Sequence, residues 1–119
     1  MNILMALSQL EITGAEVYAT TIADELIERG NKVYIVSDTL TTQTKAEYIK
    51  LEFNKRSLLK RIEHIKFLYK LIKEKNIQIV HAHSRASSWS CQVACKLAGI
   101  PLITTTHGRQ PVHFSRKII

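Results

Sequence analysis

Four short apolar runs, NILMAL, KVYIVS, IQIVHA and LITTT, limit the possible folds more than any other feature of the chain. Each is short for a helix and lacks the alternation of a strand with one wet face, so each reads as a strand covered on both sides. Between the first two, Ala15, Tyr18, Ala19, Ile22 and Leu26 recur at helical spacing, with Thr13 placed to cap the start and Gly30 to stop the end. After the polar stretch from Asp38 to Glu47, Leu51 and Phe53 alternate with Lys50 and Glu52 and suggest a further, weaker strand. Ser57 can cap a helix with the apolar face Leu58, Ile62, Ile65, Tyr69 and Ile72, closing near Asn76. A shorter helix runs from about Ala86 to Ala98 and stops at Gly99, before Pro101 and the last strand. The order β-α-β-β-α-β-α-β, with connections this short, predicts an α/β fold. It is Rossmann-like and doubly wound, with a mostly parallel sheet of about five strands and helices on both faces.

With 119 residues, 45% of them hydrophobic, the chain supports one core, and a single domain over residues 1–119 is expected. No signal-like segment opens it and no stretch of eighteen apolar residues occurs, so neither secretion nor membrane spanning is expected and the cytoplasm is the expected location. Cys91 and Cys95, four apart in a helix, read as reduced packing thiols. A formal charge of +7 and a pI near 9.6 favour an anionic partner: nucleic acid, an anionic lipid surface or a phosphorylated substrate. Nucleic acid ranks last, because no recognised motif and no interleaved exposed aromatics accompany the basic residues.

In an open parallel sheet, ligands bind beyond the carboxyl ends of the strands. Three loops converge there. The first carries Gly14 and Ala15 at a helix start, where unpaired N–H groups suit an anion; Gly14 serves equally well as a packing glycine. The second carries His83, Ser84 and Arg85, and the third His107, Gly108 and Arg109. The remaining glycines of a dinucleotide fingerprint are missing, since Gln9, Ile12 and Thr13 stand in their places, and Asp38 reads as a turn or cap residue. His81 and His83 point to one face of a strand, and in a metal-site reading His107 is the third ligand. No carboxylate or cysteine stands at ligand spacing beside them, so no metal is expected. His107 can serve structure, or can reach a substrate hydroxyl or phosphate.

Taken together, TGAEVYATTIADELIERGNKVYIVS, IVHAHSR and AGIPLITTTHG resemble the N-terminal domain of the family 4 glycosyltransferases, retaining enzymes with two Rossmann-like domains in the GT-B architecture. HAHSRASSW with a downstream THG is similar to bacterial members that build lipopolysaccharide, capsule or other surface glycans. The resemblance implies an acceptor-binding domain, with nucleotide-sugar donor as substrate, no cofactor, a glycan or lipid-linked acceptor, and a donor-binding C-terminal domain that is missing after Ile119. It places Gly14 and Ala15 near the donor phosphates, although Thr13 stands where the family has a second glycine. It also places His107 against the transferred sugar as the catalytic residue, and His83, Ser84, Arg85 and Arg109 on the acceptor side. Other readings are a Rossmann-like binding module without turnover, or one subunit of a split transferase.

The segment NKRSLLKRIEHIKFLYKLIKEK holds about half of the basic residues. On a helical wheel, Phe67 and Leu71 fall opposite the expected core face, among Lys60, His64, Lys70 and Lys75. Either this is a surface for peripheral contact with an anionic membrane, with Lys60, Phe67, Lys70 and Leu71 as its contacts, or another part of the protein covers it.

Overall fold

The computed structural model describes residues 1–7, 14–40, 42–51, 58–83 and 85–104, of which residues 14, 15, 58 and 85–87 are described by backbone alone. The elements are β1 (Asn2–Ala6), α1 (Gly14–Glu28), β2 (Lys32–Ser37), β3 (Glu47–Lys50), α2 (Leu58–Glu74), β4 (Ile79–Ala82), α3 (Arg85–Ala98) and β5 (Leu102–Thr104). The five strands form one sheet in the order β3-β2-β1-β4-β5, and every neighbouring pair is parallel. This is the α/β, Rossmann-like arrangement that the order of elements predicts.

Two cores lie on opposite faces of the sheet, divided by the alternation of side chains along each strand. Ile3, Met5, Leu7, Val33 and Ile35 pack against Ala19 and Ala23 of α1. The intervening residues Leu4, Ala6, Tyr34 and Val36, with Val80, Ala82 and Leu102, pack against Leu68, Leu71 and Ile72 of α2 and Cys91, Ala94 and Cys95 of α3. Small residues one turn apart, Ala19 with Ala23 and Cys91 with Cys95, let their helices sit close to the sheet. Each fully buried Leu, Ile or Val contributes about 1.5–3 kcal/mol.

The helices end as their last residues require. Gly30 and Gly99 adopt φ of 94° and 74°, a left-handed conformation that glycine takes without strain. Asn76 closes α2 with φ 56°, and the Ile77 N–H donates back to the Ile72 carbonyl at 2.9 Å.

Two elements differ from the sequence expectation. The third strand is EYIK, ahead of the Lys50 to Phe53 alternation: Tyr34 pairs with Glu47 and Ser37 with Lys50. An edge strand with three exposed residues needs no apolar pattern, so the signal pointed too late. The second difference is the rotation of α2. Its buried side is His64, Leu68, Leu71 and Ile72, while Ile62 and Tyr69, expected in the core, are exposed. Leu71, expected as a membrane contact, is 7% exposed and belongs to the core. The cause is that α2 carries apolar residues on two sides, and the sheet and α3 take the side with Leu68 and Leu71.

Candidate functional site

From β1 the chain proceeds through β2 to β3 on one side, then returns to place β4 and β5 on the other side of β1. The switch in direction lies between β1 and β4, where an open parallel sheet leaves a crevice beyond its carboxyl ends. The floor is tied together by backbone bonds: Leu7 N–H donates to the Val36 carbonyl at 2.9 Å and His83 N–H to the Ala6 carbonyl at 2.8 Å. α1 and α3 both begin on this edge, so the amide-bearing, partially positive ends of two helices face it.

The expected site residues fall into three groups. Gly14 and Ala15 are the first two residues of α1, so their N–H groups are among those with no partner inside the helix. His83 lies at the switch point and Arg85 opens α3. Ser84, His107 and Arg109 lie outside the described residues. His83 is 2% exposed. Its ring stands 6.1 Å from the Tyr18 ring, centroid to centroid and edge-on at 70°, and 3.9 Å from the His81 ring at a tilt of 33°. The two histidines therefore do share the α1 face of the sheet, with their rings stacked.

The structure adds a role for carboxylates of α1 whose side chains had none assigned from the sequence, Glu16 among them although its N–H group belongs with those of Gly14 and Ala15. Glu16, in the first turn of α1, is fully buried, and its Oε1 accepts the backbone N–H and the hydroxyl of Thr42, each at 2.7 Å. The positive end of the helix favours a carboxylate there. Further along α1, Asp24 Oδ1 accepts the Thr44 hydroxyl at 2.6 Å and the Lys45 N–H at 2.8 Å. These carboxylates pin the β2–β3 connection onto α1. Tyr48 donates its hydroxyl to the Ser37 carbonyl at 3.0 Å, and burial, followed by the negative charges of Asp38 and Glu16, pushes its pKa up and keeps it a donor. The Glu in TGAE and the Thr in TLTTQT were the only sequence traces of this arrangement.

On α2, Lys60 and Lys70 are exposed with Phe67, but each pairs with a glutamate on its own helix: Lys60 with Glu63 at 3.3 Å and Lys70 with Glu74 at 3.7 Å. That side is therefore nearly neutral. A different stripe, Leu59, Ile62, Lys66, Tyr69 and Lys73, recurs at steps of three and four and carries exposed apolar groups with lysines and no acid. Lys73 lies 5.7 Å above the Tyr69 ring, and Leu97 of α3 joins Ile65, Lys66 and Tyr69 around a cavity of about 200 Å³. Among the described residues no helix is long and apolar enough to cross a membrane.

The model of the family described as Glycosyltransferase Family 4 matches residues 12–118. A UDP-Gal:alpha-D-GlcNAc-diphosphoundecaprenol alpha-1,3-galactosyltransferase from Escherichia coli is 32% identical over 74 residues, which cover 61% of this chain and 19% of that protein. A glycosyltransferase from Rickettsia africae ESF-5 superposes with a TM-score of 0.82 at 27% identity, over 96% of this chain and 31% of the other. The lipopolysaccharide outer core galactosyltransferase WaaB shares the fold, with a TM-score of 0.71 at 17% identity over 90% of this chain and 33% of the other. The chain thus spans no more than about a third of the length of these relatives.

Proposed function

This chain belongs to Glycosyltransferase Family 4, and from that premise we propose that it is the N-terminal, acceptor-binding domain of a retaining enzyme that moves a sugar from a nucleotide-sugar donor to a lipid-linked or cell-surface glycan acceptor. The observation that carries the reading is the switch point between β1 and β4, where His83 is bonded to Ala6 and its ring meets Tyr18 of α1, in a chain matched to the family over residues 12–118. The name of the Escherichia coli relative gives it a UDP-sugar donor and an acceptor on diphosphoundecaprenol, which supports the same classes of substrate here.

In this reading the amides of Gly14 and Ala15 approach the donor phosphates, as the positive end of a helix suits an anion. His107 contacts the transferred sugar, and His83, Ser84, Arg85 and Arg109 serve the acceptor side. The nucleotide diphosphate leaves with the electron pair of the broken bond, and amides and cations stabilise the charge it acquires without a cofactor. A second, C-terminal domain holds the donor and closes the cleft. The enzyme works at the cytoplasmic side of the membrane.

The test is sugar transfer by the complete protein as its organism makes it, with a UDP-sugar and a lipid-diphosphate acceptor. His107→Ala and Arg85→Ala are expected to lower kcat/KM by at least about a hundredfold, the order of one lost electrostatic contact at a transition state. Activity within a few-fold of normal in both variants overturns the assigned roles. Absence of transfer by the intact protein, with saccharide binding retained, would instead favour a binding module or a split transferase.

A lipid-linked acceptor calls for contact with the bilayer surface, and α2 supplies a surface of the right chemistry. Lysine and apolar groups without acids favour anionic lipid, so the stripe Leu59, Ile62, Lys66, Tyr69 and Lys73 is the stronger contact, with Lys60, Phe67 and Lys70 beside it. Co-sedimentation with vesicles containing phosphatidylserine is expected at low salt, and Ile62→Ser with Lys66→Glu is expected to lower binding about tenfold. Binding equal to the unaltered protein removes the membrane role from this stripe.

A further inference from the structure

Resting on the acceptor-side reading above, we propose that Tyr18 is the surface on which the acceptor's sugar ring stacks, and that His83 acts through Tyr18 as a positioning residue. A side chain 2% exposed offers almost no surface to a saccharide, so His83 cannot be the wall of the crevice in its own right. His83 meets Tyr18 edge-on, and Tyr18 is 47% exposed. It stands on the second turn of α1, next to the helix end that opens on the switch point, with the exposed Val17 beside it.

The chemistry fits a pyranose. Such a ring has a face of C–H groups, weakly positive, that lies well on the negative face of an aromatic ring, while its hydroxyls point outward to water and polar partners. Tyrosine presents a broad, rigid face for the loss of only two torsions and carries a hydroxyl that can bond a sugar hydroxyl at the ring's edge. Pre-organisation then decides how much of that contact survives as affinity. Here the support is explicit. The His83 backbone is bonded to the Ala6 carbonyl at 2.8 Å, its imidazole is stacked on His81 at 3.9 Å, and it meets Tyr18 edge-on. The rigidity of the sheet is passed through two histidines to an exposed aromatic. Trp89 and Tyr69 are also exposed, but both stand on the helices that cover the opposite face of the sheet.

The isotopically labelled chain titrated with methyl α-N-acetylglucosaminide, up to about 50 mM to populate weak complexes, tests this by NMR. The expected result is a shift of the Tyr18 ring protons and saturation transfer to the sugar's C–H protons. Tyr18→Phe is expected to bind within about two-fold of the unaltered chain, and Tyr18→Leu, which keeps bulk without a π face, about three- to tenfold more weakly. His83→Ala is expected to move the free-state Tyr18 ring shifts and weaken binding, and His83→Phe to restore both, which a loss of general packing would not do. If Leu7, Ser37 and His83 shift with the sugar while Tyr18→Leu binds normally, stacking on Tyr18 is overturned and the acceptor-side reading stands. If no residue at the carboxyl ends of the strands responds, both are overturned.

Discussion

Glu16 is a carboxylate fully enclosed by protein, held by two donors from Thr42. Its charge is tolerable because the first turn of a helix and two short hydrogen bonds replace the water it has lost. Glu16→Gln keeps the shape but turns a charged acceptor into a neutral one, and is expected to cost about 1–3 kcal/mol in urea unfolding. Thr42→Val, which removes the hydroxyl donor, should cost a similar amount, and the double variant less than the sum, because both changes weaken the same contact. The thiols make a different prediction. Burial pushes Cys95 up to about 12, and burial with the neighbouring Cys95 pushes Cys91 higher still, against an ordinary value of 9.0. Unfolded thiols release protons above pH 9 that folded ones keep, so this contribution is intact below pH 9 and is lost as pH rises towards about 12. The expected slope is about 1.4 kcal/mol per pH unit per thiol. Replacing both cysteines by alanine should flatten the alkaline limb of a urea stability profile; an unchanged limb would assign the loss to other groups.

At the level of elements, α2 shows what a sequence can and cannot carry. Its apolar residues lie on two sides, so no wheel drawn in isolation chooses between Ile62 with Tyr69 and Leu68 with Leu71; the sheet and α3 make the choice. Leu71→Ala is therefore expected to lose about 2–5 kcal/mol in urea unfolding, as for a buried leucine. Phe67→Ala, at a residue 37% exposed, is expected to lose less than about 1 kcal/mol. Equal losses would contradict this rotation of the helix. α1 and α3 were legible because glycine stops at Gly30 and Gly99 are local signals. β3 was not, because an exposed edge strand has no buried pattern to display. In the site, the arrival of His83 at a strand's end was legible from the apolar run before it. Its burial was not, since that depends on Tyr18 and His81 meeting it across the fold.

Across the whole molecule, β1 is the central strand and pairs on both sides, while β3 and β5 form the edges. Hydrogen exchange should therefore be slowest at Leu4 and Met5, which open only with global unfolding, and fastest among the strands at Tyr48 and Ile103. Uniform exchange across the five strands would argue against a single cooperative sheet. The order of elements was readable because covered strands alternating with helices leave few arrangements open, whereas the carboxylate pins from α1 to the β2–β3 connection depend on contacts distant in sequence. The central position of β1 also has a consequence for synthesis. As the chain leaves the ribosome, β1 emerges before both of its partners and can pair with β2 soon after, but its other partner, β4, begins only at Ile79. During that interval one side of the sheet's central strand has bare amide and carbonyl groups and half-covered apolar faces, which attract other nascent chains. The fastest route past this hazard is rapid emergence of IQIVHA, so slow translation between β3 and β4 is where aggregation of the newborn protein should begin.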